Sequence, residues 1–278
     1  MNIANHHFLG LPAAKPRVWI DLSCAASKRA GLAMHTPGRD VLKWAVRILG
    51  WFAWLPIERI VRGPIKRFDE LDGHEMIERA VDDLAAKNAK IAKKIEWMTL
   101  YMGNDSVKSK LTVMVKLSGG VGSGGVDELI VKLGRTDEAA EAIRNEVATL
   151  KRLEATPLCA QVPVVVAARP EALPYRAAVR ENARPADDGI GTLGVWTWSI
   201  QSVLPKGKSP VRMQKEHYAF LDELRRIGIS HGDFAPWNCS IVGGRLYVWD
   251  WEDAGPWQAG MDESWFKSQV KKLLGVDA

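Results

Sequence analysis

Two short segments late in the chain limit its fold more than any other feature. The first reads His231-Gly232-Asp233-Phe234-Ala235-Pro236-Trp237-Asn238, and the second, Val248-Trp249-Asp250-Trp251-Glu252, closes an apolar stretch. An Asp, an Asn five residues on and a further Asp twelve residues past that Asn serve one purpose only if a loop and a strand end converge. His231 is expected to pin that loop by hydrogen bonds rather than to act as a base. Pro236 and Trp237 would shape it.

The chain before these segments reads as a series of elements that could build such a fold. Residues 96–102, 110–117 and 128–133 are short β-type runs bounded by Gly, Asn or Ser turns. Residues 136–153 have Ala140, Ile143, Val147 and Leu150 on one helical face. Further strands are expected at 162–167 and 195–204, and a helix over 213–226. Residues 169–194, rich in Pro, Gly and charge, receive no assignment. Upstream, a stripe through Ile77, Val81, Leu84, Ile91 and Ile95, interrupted by Asn88, predicts a long amphipathic helix over 75–95.

The run 41–55 (VLKWAVRILGWFAWL) is too short to span a bilayer. As a helix it sets Trp44, Ile48, Trp51 and Leu55 on one side, either against the rest of the protein or in a membrane interface. Residues 1–67 carry eleven Lys or Arg against Asp21, Asp40 and Glu58, a balance of +8 where the whole chain is +5. Such a basic, Trp-bearing quarter fits an anionic surface such as a membrane leaflet, or is a solvated basic face. Nucleic acid is not the expected partner, since no Lys or Arg stripe alternates with aromatics and the chain beyond residue 67 is slightly acidic. Three scattered cysteines without metal-ligand spacing point to a reducing compartment. With Lys15, Arg17 and Asp21 interrupting any early apolar run, the expectation is a cytoplasmic protein, peripheral at the inner membrane face if the basic quarter binds lipid.

The chemistry that suits this residue set is phosphoryl transfer, which asks for a held nucleophile, a held triphosphate and cations on its oxygens. Asp233 would accept or orient the acceptor's hydroxyl proton. Asn238 and Asp250 would be the oxygen ligands of magnesium. Lys132, in Val131-Lys132-Leu133, would anchor the phosphates, held toward them by Glu146 fourteen residues later. The Gly-rich stretch 118–125 looks like a phosphate cradle, yet it ends only seven residues before Lys132, which leaves room for a hairpin turn and nothing else. The loop covering the nucleotide is therefore expected at 103–109, with Ser106 or Lys108 assisting its backbone amides. Backbone groups of residues 202–204, Ser202 and Leu204 among them, would meet the adenine edge.

The phrases HGDFAPWN and VWDWEDAG resemble those of the aminoglycoside phosphotransferase and choline kinase group of the protein-kinase-like superfamily, especially its bacterial members of undefined substrate. Order and spacing extend the resemblance over roughly residues 95–260. It implies an α+β, two-lobed fold with an antiparallel-sheet small lobe (95–204) and a reduced helical large lobe (205–278), to which the residues themselves add an expected N-terminal helical extension (1–94). It implies ATP with magnesium as donor, Asp233 as catalytic base, Asn238 and Asp250 as metal ligands, and Lys132 with Glu146 as the phosphate-anchoring pair. The chain departs from the group in having about 25 residues between hinge and catalytic loop and 28 after Asp250, where the group carries a long helical insertion. This leaves the acceptor open among sugar, amino alcohol and cell-envelope glycan. The competing reading is a catalytically silent, kinase-like regulatory or membrane-peripheral scaffold.

Overall fold

The computed structural model describes residues 5–34, 46, 48–71, 74–87, 95–102, 110–121, 126–134, 136–175 and 194–275. The chain divides into two compact units, one formed by Met1–Ala140 with Glu171–Ile200 and the other by Glu141–Pro170 with Gln201–Ala278. These boundaries differ from the expected ones at 94/95 and 204/205.

The first unit is organised by a sheet whose strand order is β3-β1-β2-β4-β5-β6-β8-β7. Its strands are β1 (His7–Leu11), β2 (Val18–Asp21), β3 (Ile65–Arg67), β4 (Ile95–Tyr101), β5 (Lys110–Val121), β6 (Val126–Gly134), β7 (Val165–Tyr175) and β8 (Gly194–Ser202). Pairing is antiparallel from β3 through to β6. The expectation of a helical extension thus needs correction. Although α1 (Ala25–Met34) and α2 (His74–Lys87) are helices, β1 to β3 extend the same sheet as β4. Phe8, Leu9, Val18 and Ile20 are buried in these strands, too short an alternation to stand out in a basic, Trp-rich sequence.

Asp21 shows how the early strands are fixed. It is fully buried, takes the backbone N–H of Met98 on β4 at 3.2 Å and that of Ser23 at 2.8 Å, and pairs with His6 at 2.9 Å. An acid satisfied on so many sides ties β2 to β4 through a hydrogen-bonded network rather than through apolar contact alone.

Helix α2 ends at Lys87, and Ile95, the last member of the expected stripe, instead opens β4; Asn88 and Ile91 lie outside the described residues. The 41–55 run is helical at Val46 and from Ile48 to Trp51, Trp44 lying outside the described residues. In the Gly-rich region β5 continues to Val121, which pairs with Val126 at the start of β6, so residues 118–121 belong to a strand; residues 122–125 lie outside the described residues.

The second unit takes most of α3 (Asp137–Glu154), then α4 (Lys215–Ile227), the two-residue strand β9 (Ile229–Ser230), the hairpin β10 (Cys239–Val242) with β11 (Arg245–Val248), β12 (Gly255–Pro256) and α5 (Met261–Leu274). The hairpin turns through Gly243 and Gly244, both at positive φ, the two-residue geometry that matches strand twist and that glycine adopts without cost. Its core gathers Leu150, Leu153, Phe220, Leu224, Phe234, Trp251 and Phe266. Each fully buried aromatic there contributes about 1.5–3 kcal/mol, and the three phenylalanines and Trp251 touch in tilted or edge-on pairs at 5.6–6.0 Å between centroids.

Candidate active site

Burial of Phe234 and Trp251, each directly after an acid, sets the site. With Phe234 fully buried among Phe220, His217 and Phe266, the chain on either side is held at the core's edge and Asp233 is left half-exposed. Trp251, likewise buried, holds the chain just after Asp250, its ring 4.5 Å from that of His231.

The loop between β9 and β10 is closed by hydrogen bonds internal to it. Ala235 N–H bonds to the Asp233 carbonyl at 2.8 Å, and Asn238 N–H to the Ala235 carbonyl at 2.9 Å. Pro236 starts a single 3-10 turn, Pro236–Asn238, where its missing N–H costs nothing. The Asn238 amide nitrogen then gives both of its hydrogens to Asp233, one to the carbonyl at 3.0 Å and one to Oδ2 at 2.8 Å. The amide oxygen of Asn238 is thereby turned away from Asp233 as a hard oxygen donor of the kind magnesium takes.

Asp250 follows β11 with φ at +66°, the one non-glycine residue at positive φ among those described. Asp and Asn are among the few residues besides glycine that enter this left-handed region, because their short polar side chain can hydrogen-bond locally, and a non-glycine residue held there is characteristic of positions where a side chain must be aimed. The segment is fixed on both sides. Trp249 N–H reaches the Asn238 carbonyl at 3.0 Å, so the Asp233–Asn238 loop and the strand end are joined directly. Trp251 N–H reaches Glu146 Oε1 at 3.2 Å, and the Asn145 amide bonds the Glu252 and Ala254 carbonyls at 2.8 Å each. Helix α3 therefore clamps residues 251–254.

His231 is buried and wired on three sides. Its backbone N–H goes to Asp262 Oδ2 at 2.8 Å, its Nε2 to the Trp249 carbonyl at 3.1 Å, and its Nδ1 accepts the Asp233 N–H at 3.3 Å. This pattern fits a neutral imidazole protonated on Nε2, and burial holds its pKa below the ordinary histidine value. Gly232 gives its N–H to Asp262 Oδ1 at 3.0 Å and stands at φ +86°, where a Cβ would fall 2.0 Å from the Asp253 carbonyl oxygen. Only glycine fits.

Asp233 itself carries a raised pKa, chiefly from burial, opposed by hydrogen bonds from Trp265 and Asn238 and by His231, and reinforced by the charge of Asp250. The Trp265 indole N–H donates to Asp233 Oδ1 at 2.5 Å.

The second unit thus brings together Asp233, Asn238, Asp250 and Glu146. Lys132 lies in the first unit, buried on β6 across from Thr112 of β5. Ser106 and Lys108 lie outside the described residues. In the expected hinge, Ser202 N–H is already bonded to the Val164 carbonyl at 2.9 Å, and its hydroxyl accepts Val164 N–H at 2.9 Å. Leu204, just beyond β8, is half-buried. Sequence reasoning missed Asp262, Asn145 and Trp265. No spacing marks them, since each reaches the site from a helix remote in the chain.

No protein-family model matches the sequence, nor does any curated protein. Among solved structures the chain is similar to APH(2″)-IIa in its ternary complex with streptomycin and ATP, at 13% identity over 74% of this chain and 84% of that one, with a TM-score of 0.40. It is similar also to ADP-bound aminoglycoside phosphotransferase APH(2″)-Ib, at 13% identity over 74% and 82% of the respective chains, with a TM-score of 0.44.

Proposed function

We propose that the chain is an ATP- and magnesium-dependent phosphotransferase that phosphorylates a hydroxyl group. The observation that carries this reading is the joined geometry of Asp233, Asn238 and Asp250: an acid whose pKa is raised, an amide oxygen presented beside it, and a second carboxylate aimed by left-handed backbone and tied to the same loop. Half-burial with a pKa raised above the ordinary carboxylate value suits a group that must accept a proton.

In the reaction, Asp233 receives the hydroxyl proton as the acceptor oxygen bonds to the γ-phosphorus. The bond from that phosphorus to the β,γ-bridging oxygen breaks, and ADP leaves. Asn238 and Asp250 would hold magnesium, which when bound neutralises charge on the phosphate oxygens. Lys132 and Glu146 remain the proposed phosphate-anchoring pair, with Ser106, Lys108 and Leu204 as further nucleotide contacts. Ser202 is the weakest of these, because its N–H is already used.

The test is ATP consumption with pooled sugars, amino alcohols and cell-envelope extract, Asp233→Asn serving as the blank. Acceptor-dependent ADP formation lost in that variant supports the proposal. Tight ATP·Mg binding without any turnover would instead favour the silent scaffold.

A membrane-peripheral role has its own supporting observation. Trp51 is 76% exposed and Trp54 67%, with Phe52 and Ile60 also exposed, in the basic first quarter. Aromatic side chains beside Lys and Arg suit an anionic lipid interface. Because β1 to β3 belong to the sheet, the sound test is Trp51→Glu with Trp54→Glu rather than truncation. Sedimentation with anionic vesicles that these substitutions abolish supports the role, and indifference to lipid removes it.

A further inference from the structure

Beside the catalytic loop lies an open cleft of about 400 Å³ lined by Gly232, Met261, Ser264, Trp265 and Ser268, a volume within the roughly 300–1,000 Å³ of small-molecule sites. It adjoins the proposed base on two counts: Gly232 precedes Asp233 in sequence, and Trp265 donates to Asp233 Oδ1. Ser264 and Ser268 stand one turn apart on α5, with Trp265 beside them. An aromatic face with hydroxyls next to it matches a sugar ring, whose polarised C–H bonds sit on the negative face of an indole while its hydroxyls take hydrogen bonds.

Charge narrows the class. No lining residue is ionisable, and the nearby acids of α5 are engaged: Asp262 with the N–H groups of His231 and Gly232, Glu263 with Lys267. Lys272 stands 5.7 Å from the centre of the Trp265 ring. A polyamine acceptor would meet this cation with only the Asp233 carboxylate, already taken by Trp265 and Asn238, to offset it.

We infer that this cleft is the acceptor seat and that it takes an uncharged saccharide, stacked on Trp265 with one hydroxyl directed to Asp233. The inference rests on the phosphotransferase reading for its reaction, though not for its binding.

The test uses the full chain without nucleotide, screened by saturation-transfer NMR against methyl β-D-glucopyranoside, N-acetylglucosamine, maltotriose and the polyamine saccharide kanamycin. Neutral sugars are expected to bind in preference to kanamycin, with affinity falling at least tenfold in Trp265→Ala. Ser268→Trp, which fills the cleft and leaves Trp265 in place, is expected to do the same, and circular dichroism checks that both fold. Absence of neutral-sugar binding, binding that survives both substitutions, or preference for kanamycin overturns the inference. ATP·Mg affinity is measured in parallel: its absence overturns the phosphotransferase reading while the sugar result still decides the nature of the cleft.

Discussion

Trp265 on the last helix gives its indole N–H to Oδ1 of Asp233, thirty-two residues earlier in the chain. The bond stabilises the ionised carboxylate and so pulls its pKa down, against the burial that pushes it up. Trp265 is a positioning residue for the proposed base. Trp265→Phe keeps an aromatic wall and removes the donor, so the Asp233 pKa should rise further. The acid limb of the rate profile, where activity is lost as Asp233 takes a proton, should then move to higher pH. A kcat–pH series on parent and variant checks this, and an unmoved limb would mean that the bond does not tune the base.

Asp250 offers a cleaner dissection than the usual alanine substitution. Its φ of +66° suits Asn nearly as well as Asp, but penalises Ala by about 1–2 kcal/mol. Asp250→Asn should therefore keep the stability of the parent and lose metal-dependent nucleotide affinity. Asp250→Ala should lose both. Calorimetric titration of ATP with and without magnesium, alongside denaturant unfolding, separates the two effects.

Much of this architecture could be read from the residues, for reasons that are local. Strands β4 to β6 alternate over enough residues to show their period. Helices α3 and α4 carry full apolar stripes, and the Asp233–Asn238 loop is a contiguous motif. What could not be read is non-local or brief. Strand β2 is four residues long, and its meaning lies in pairing with β4 more than seventy residues later. The acceptor of the Trp251 N–H could not be foreseen either, because Glu146 lies more than a hundred residues earlier in the chain. Trp265, in a helix whose apolar positions do not form a clean stripe, carried no mark of its bond to Asp233.

Gly232 is where the loop meets its tightest constraint. A methyl group there would combine left-handed strain of about 1–2 kcal/mol with overlap on the Asp253 carbonyl, itself worth about 1–3 kcal/mol. Gly232→Ala should thus cost at least about 2 kcal/mol in unfolding free energy, measured by urea titration. Gly228→Ala, at a positive φ with open space around it, should cost only the backbone part and makes the internal control.

Histidines 231 and 217 give the second unit a pH signature. Both are buried with pKa values lowered by desolvation, so the unfolded chain binds protons that the folded one refuses. Stability from this source is complete above the unfolded histidine value of about 6.5 and declines as pH falls from there toward the folded pKa. His217 packs against Phe234 and Phe266 and accepts the Gln214 N–H at 3.0 Å. His217→Gln can supply an acceptor without taking a proton. That variant should be less stable than the parent at pH 7.5 through lost packing, yet lose less on going to pH 5.5. Thermal melts of the two proteins at both pH values decide the matter: parallel losses would place the acid sensitivity in other groups, His231 first among them.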